Sequence, residues 1–165
     1  MKSTTKQTLK NQLLNTLAAE DIPTMDLIYR TKVPMASLPK LDSHQATYDF
    51  LLKSWDKDKI NLCEQLKVCL LNSSLRCLGI CTLAQGSRHA TLTPETFIIG
   101  LAILSNASSI IVAHNHPGGN AIPSKADLST SAYLNQMCTL FDIHLKDDMI
   151  ITEEGYFSFA KEGLL

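Results

Sequence analysis

Apolar positions along the chain alternate between a helical rhythm and short continuous runs. Residues 4 to 20 repeat at helical spacing, with Leu9, Leu13, Leu14 and Leu17 in one narrow stripe that Asp21-Ile22-Pro23 ends. The next stretch, "MDLIYRTKVPMASLPKLDS", carries two prolines and reads as a strand and an extended connector. Ser43 is placed to cap a helix, "HQATYDFLLKSW", whose Tyr48, Leu51, Leu52 and Trp55 share its inner face. After the charged turn "DKDK", the runs "QLKVCLLN" and "LRCLGICTLA" read as strands joined through Asn72-Ser73-Ser74. "TPETFIIGLAIL" offers Thr93 as N-cap, Pro94 at the first helical position and Glu95 in the first turn, with Phe97, Ile98, Leu101 and Leu104 at helical spacing. "SIIVAH" is a β-branched run of the kind a central strand needs, and a helix follows from about Lys125 to Phe141. "HLKDDMIIT" and "GYFSFA" close the pattern as strands around Glu153-Glu154-Gly155. This order predicts one α/β domain with a mixed sheet over residues 42–165, after a helical extension and connector over 1–41.

Composition narrows the function classes. The chain has 165 residues, 45% hydrophobic and 19% charged, enough for one domain with its own core. A net charge of −1 provides no basic field for nucleic acid, and no apolar stretch is long enough to span a bilayer. The N-terminal "MKSTTKQTLKNQLLNTLAAE" lacks the apolar core of a secretory signal. Five cysteines, without a Cys-x-x-Cys pair and mostly among apolar neighbours, read as reduced thiols of a cytoplasmic protein.

Chemistry concentrates in "IIVAHNHPGGNAIPSKAD". Side chains alternate faces along a strand, so His114 and His116 project together while Asn115 points the other way. Pro117, Gly118 and Gly119 permit a sharp turn, and Asp127, with ten residues between it and His116, falls in the first turn of the next helix. Two imidazoles and a carboxylate make a three-ligand set for Zn²⁺ with a fourth position left for water. Hydrolysis at such a site needs a proton acceptor that is not a ligand. Glu64, at the entrance to its strand, is preferred to Glu95, which the dipole of its own helix already explains. Ser124-Lys125-Ala126-Asp127 also has the form of a capping box, which accounts for Ser124 and Asp127 without chemistry. Capping and ligation are compatible, because a carboxylate has two oxygens.

Taken together, a glutamate upstream, His-x-His, seven residues, Ser, two residues and Asp resemble the JAMM metallopeptidase signature. The form "AHNHP…PSKAD" resembles the RadC family of bacterial JAMM-type proteins, from about Asp42 to the C-terminus and including "EQLKVCLLN" and "MIITEEGYFSFAKEGLL". That resemblance implies a three-layer α/β/α sandwich of the JAMM/MPN type, related to cytidine deaminases. It implies His114, His116 and Asp127 as zinc ligands, Glu64 as general base and Ser124 as a donor to the oxyanion. The implied activity is a zinc-dependent peptidase or isopeptidase acting on a peptide or isopeptide substrate. The chain departs from the family in three places. Residues 1–41 are too short for a helix-hairpin-helix module, the usual "HNHPSG" reads "HNHPGG", and a frequent Asp-His pair reads Asp147-Asp148.

Rival readings fit less well. HNH nucleases do not place those letters consecutively, a cupin would carry a glutamate where Asn120 and Ala121 stand, and a zinc deaminase would show His-x-Glu with Pro-Cys-x-x-Cys. His44, His89 and His144 are isolated and read as surface or internally satisfied histidines. The alternative from another class is a non-catalytic accessory of DNA repair or DNA metabolism. It lacks a basic stripe, an aromatic stacking platform and a helix-hairpin-helix.

Overall fold

The computed structural model describes residues 29–85 and 95–165. The helix expected over 4–20 and its Asp21-Ile22-Pro23 stop, His89, and the Thr93 and Pro94 helix start lie outside those residues, as does nearly all of the 85–93 loop. Within 29–43, where the sequence pattern predicts a strand and connector, the chain forms a single 3₁₀ turn, Met35–Ser37, and one isolated bridge from Lys40 to Arg76. Pro34 and Pro39 explain this, because each removes a donor that a strand ladder would use.

Among the described residues, three helices and five strands follow in the order α1 (His44–Ser54), β1 (Gln65–Leu71), β2 (Cys77–Gln85), α2 (Glu95–Leu104), β3 (Ser109–Asn115), α3 (Lys125–Leu140), β4 (His144–Ile151) and β5 (Tyr156–Ser158). The sheet order is β2-β1-β3-β4-β5. Only β3 and β4 run parallel, bridged by α3 as the crossover; the other pairs are antiparallel. Helices cover both faces, giving the α/β/α sandwich expected. On one side Tyr48 and Leu51 of α1 and Trp55 at its C-cap pack against Cys69, Leu71, Ile111, Ala113, Met149 and Ile151. On the other, Ile98, Ile99 and Ala102 of α2 and Leu134 and Cys138 of α3 meet Leu66, Val68, Leu70, Ile110 and Val112. Strands enclosed on both faces cannot alternate apolar with polar, and that is why β1 and β3 read as unbroken runs.

The inner face of α2 is turned from the one its spacing suggests. Ile98, Ile99 and Ala102 are buried, while Phe97 and Leu104 are 54% and 61% exposed. A helix apolar nearly all round gives periodicity nothing to choose by, and packing decides. Helix α1 behaves as expected, with Ser43 Oγ accepting from the Ala46 N–H at its start.

One polar cluster ties the layers at the C-terminal side. His44 Nδ1 donates to Asp147 Oδ2 at 2.9 Å, and the same oxygen accepts from Ser158 Oγ at 2.6 Å. The Ala160 N–H reaches Asp147 Oδ1 at 3.1 Å. His44 is thus internally satisfied, while His144 lies exposed on β4. Buried Asp147 fastens α1, β4 and the C-terminal turn together.

Candidate metal centre

Strand β3 runs in the middle of the sheet, and its C-terminal end carries the histidines. His114 pairs with Leu66 of β1 and Ile150 of β4, which fixes its height in the sheet. The His116 N–H continues the ladder to Ile151 O at 3.2 Å. A turn then reverses the chain, with the Gly119 N–H returning to His116 O at 3.0 Å and Gly119 at φ +76°. That left-handed backbone favours glycine. Gly118, where the family usually has serine, has open space where a side chain would stand, so this departure leaves the turn undisturbed.

Helix α3 brings the carboxylate back. Ser124 Oγ accepts from the Asp127 N–H at 3.2 Å, and Asp127 Oδ2 accepts from the Ser124 N–H at 2.7 Å, a full capping box. The other oxygen, Asp127 Oδ1, lies 3.4 Å from His114 Nε2. His116 Nε2 is 3.7 Å from Asp127 Oδ2 and 3.1 Å from His114 Nε2. Ligands about 2.0–2.2 Å from a tetrahedral Zn²⁺ stand roughly 3.3–3.5 Å from one another. The two Nε2 atoms stand near that spacing, and Asp127 approaches it toward His114 through Oδ1 and toward His116 through Oδ2, with one ligand atom from each residue lying within 4.8 Å of the others.

Protonation suits ligation. His116 Nδ1 lies 2.7 Å from Asn120 O, and a carbonyl only accepts, so Nδ1 carries a proton and Nε2 is the nitrogen turned to the site. Burial pushes the His114 imidazole down to about 4, against the upward pull of Asp127 and with a further downward push from His116. It is therefore neutral at pH 7. Burial draws the Asp127 carboxyl up, but the Ser124 hydroxyl and backbone N–H, then the two histidines, outweigh it and hold the group below its ordinary value. A neutral His114 beside an ionised Asp127 is the state a divalent cation requires.

Glu64 stands outside the triangle of His114, His116 and Asp127, whose ligand atoms all lie within 4.8 Å of one another. It is half-buried and directly precedes β1, two residues from Leu66, whose partner on β3 is His114. Glu95 opens α2, in the first turn where the helix dipole favours an acid.

Asn115 has a part that the motif spacing does not assign. It is fully buried, and its Oδ1 accepts from the Gln65 N–H at 2.7 Å. Its Nδ2 donates to Ile60 O at 2.6 Å and to Cys63 O at 2.9 Å. The segment leading into Glu64 therefore hangs from the residue between the two histidines. A signal for this exists in the sequence: a polar residue facing away from the histidines on a strand covered on both sides needs buried partners.

The profile of the family described as "RadC-like JAB domain" matches residues 41–164. The chain belongs to that family. Among its relatives is a "UPF0758 protein" of Thermotoga maritima, 35% identical over 76% of this chain and 55% of the relative. Another, from Porphyromonas gingivalis, is 39% identical over 62% of this chain and 45% of the relative. "UPF0758 protein YeeS" of Escherichia coli is 36% identical over 62% of this chain and 69% of its own length. The RadC-like chain thus spans about half the length of the first two relatives. No helix among the described residues is long and apolar enough to cross a membrane.

Proposed function

We propose that this RadC-like JAB domain is a zinc-dependent peptidase or isopeptidase that hydrolyses an amide bond. The observation carrying the reading is the convergence of His114 Nε2, His116 Nε2 and an Asp127 oxygen from two rigid elements, all within 4.8 Å of one another. Zinc bound there would polarise the scissile carbonyl and make water acidic enough to ionise near pH 7. Glu64 takes the proton from the attacking water and passes it to the leaving amine. Ser124 Oγ spends its acceptor on the Asp127 N–H, which leaves the hydroxyl hydrogen free to donate to the developing oxyanion.

Elemental analysis of wild type and His116→Ala tests this. Wild type should carry about one zinc per chain and the variant close to none. Equal zinc in both would sink the ligand assignment. If zinc is present but peptide and isopeptide libraries yield no zinc-dependent cleavage, while DNA binds tightly at physiological salt, an accessory role in DNA metabolism replaces the enzyme.

Ser124→Ala should cost about 1 kcal/mol of stability from the lost cap. It should also lower turnover more than substrate affinity, since the donated bond forms with the transition state. Melting temperature, zinc content and turnover on one preparation separate the two roles. Unchanged turnover per folded, zinc-loaded molecule reduces Ser124 to a cap.

A further inference from the structure

The loop that joins β3 to α3 is held by its own hydrogen bonds, and Asn120 stands at the middle of them. His116 O accepts from the Gly119 N–H at 3.0 Å, and His116 Nδ1 donates to Asn120 O at 2.7 Å. The Asn120 side chain turns forward, its Oδ1 accepting from the Ile122 N–H at 3.0 Å. Pro123 follows with its fixed φ, and the capping box of Ser124 and Asp127 begins at the next residue. A run of local bonds thus leads from one member of the metal cluster to another.

An exposed asparagine that bonds the backbone two residues on is, by itself, an ordinary turn residue. Two features give this one more to do. The ring closed by Asn120 Oδ1 and the Ile122 N–H contains the Asn120 carbonyl carbon, so the side chain fixes the direction of the carbonyl that His116 Nδ1 meets. Upstream, Gly118 and Gly119 have open space where side chains would stand, so packing on that side does not set the direction instead.

We propose that Asn120 is a positioning residue of the metal centre: its side chain fixes the carbonyl that holds His116 Nδ1, and so aims His116 Nε2 into the cluster with His114 and Asp127. The proposal rests on the zinc reading above. Metal-bound histidines are held through their second ring nitrogen, and losing that partner typically weakens binding about 10- to 100-fold. Asn120 acts one bond further out, through a carbonyl that every variant keeps, so a loss near the lower end is expected. A released imidazole can also carry its proton on Nε2, which removes the lone pair that a cation needs.

The test compares wild type, Asn120→Ala and Asn120→Ser. Zinc affinity is measured by competition with a chromogenic chelator. Melting temperature and the side-chain nitrogen resonances of His116 are measured on the metal-free proteins in mildly alkaline buffer. Asn120→Ala removes the acceptor and should bind zinc roughly tenfold more weakly. It should melt within about 2 °C of wild type, since the change is to an exposed side chain outside the sheet. Its His116 should show a mixture of Nδ1–H and Nε2–H forms where wild type shows Nδ1–H. Asn120→Ser returns a neutral hydroxyl acceptor and should recover most of the affinity and the single form. Equal zinc affinity in wild type and Asn120→Ala would overturn the proposal and leave Asn120 a turn residue. So would weaker binding accompanied by a metal-free melting temperature many degrees lower, which would make Asn120 a part of the fold. Zinc bound by none of the proteins would end the zinc reading. The His116 resonances would then still decide whether Asn120 holds the ring, and an unchanged Asn120→Ala spectrum would overturn that as well.

Discussion

Replacing Glu64 with Gln should leave about one zinc per chain in place and cut turnover roughly 10²- to 10⁴-fold, the usual worth of a positioned proton acceptor. Glutamine keeps the size and polarity of the side chain but cannot take a proton, so the change isolates that one capacity. Zinc should stay because Glu64 lies outside the cluster formed by His114, His116 and Asp127. The comparison that decides the assignment is Glu95→Gln. Glu95 starts α2, where losing its charge removes a favourable dipole contact worth about 0.3–1 kcal/mol and should leave chemistry untouched. Turnover and zinc content of both variants settle the choice. A collapse in Glu95→Gln with a working Glu64→Gln would reverse it.

Legibility in the sequence follows how strongly each feature is over-determined. Strand β3 can be read because three signals agree: β-branched residues, a Pro-Gly stop and burial on both faces. Asp127 can be read twice over, as capping partner of Ser124 and as candidate ligand, and its carboxylate serves the cap through Oδ2 while meeting His114 through Oδ1 and His116 through Oδ2. The face of α2 cannot be read, because "ETFIIGLAIL" is apolar on every side and only tertiary packing selects Ile98, Ile99 and Ala102. The connector before α1 is mistaken for a strand when its apolar residues are weighed above its prolines. The partners of Asn115 escape, although its need for buried partners can be read. They are Ile60, Cys63 and Gln65, dozens of residues away, and no local spacing encodes them.

Asn115→Ala should be the most damaging change to the fold near the site, costing on the order of 3–5 kcal/mol. The side chain makes three hydrogen bonds inside the protein, and alanine strands the Gln65 N–H and the carbonyls of Ile60 and Cys63 together. Each bond is worth about 1 kcal/mol net, and a buried group left unpaired costs about 1–3 kcal/mol, so partial rescue by water gives the intermediate figure. Zinc should remain on the folded fraction, since the histidines are held by pairing of β3 with β1 and β4, and Asp127 by its capping box. Turnover should nevertheless fall, because the segment carrying Glu64 loses its tether and the proton acceptor no longer waits in one place. Asn115→Asp keeps the acceptor for Gln65 but discards both donors and buries a charge, so it should not restore stability. Urea unfolding measures the first effect. The second is read from the double variant with Glu64→Gln, whose turnover should be little worse than that of Glu64→Gln alone, because both changes disable the same group. Fully multiplicative losses would mean that Asn115 supports the site by some route other than Glu64.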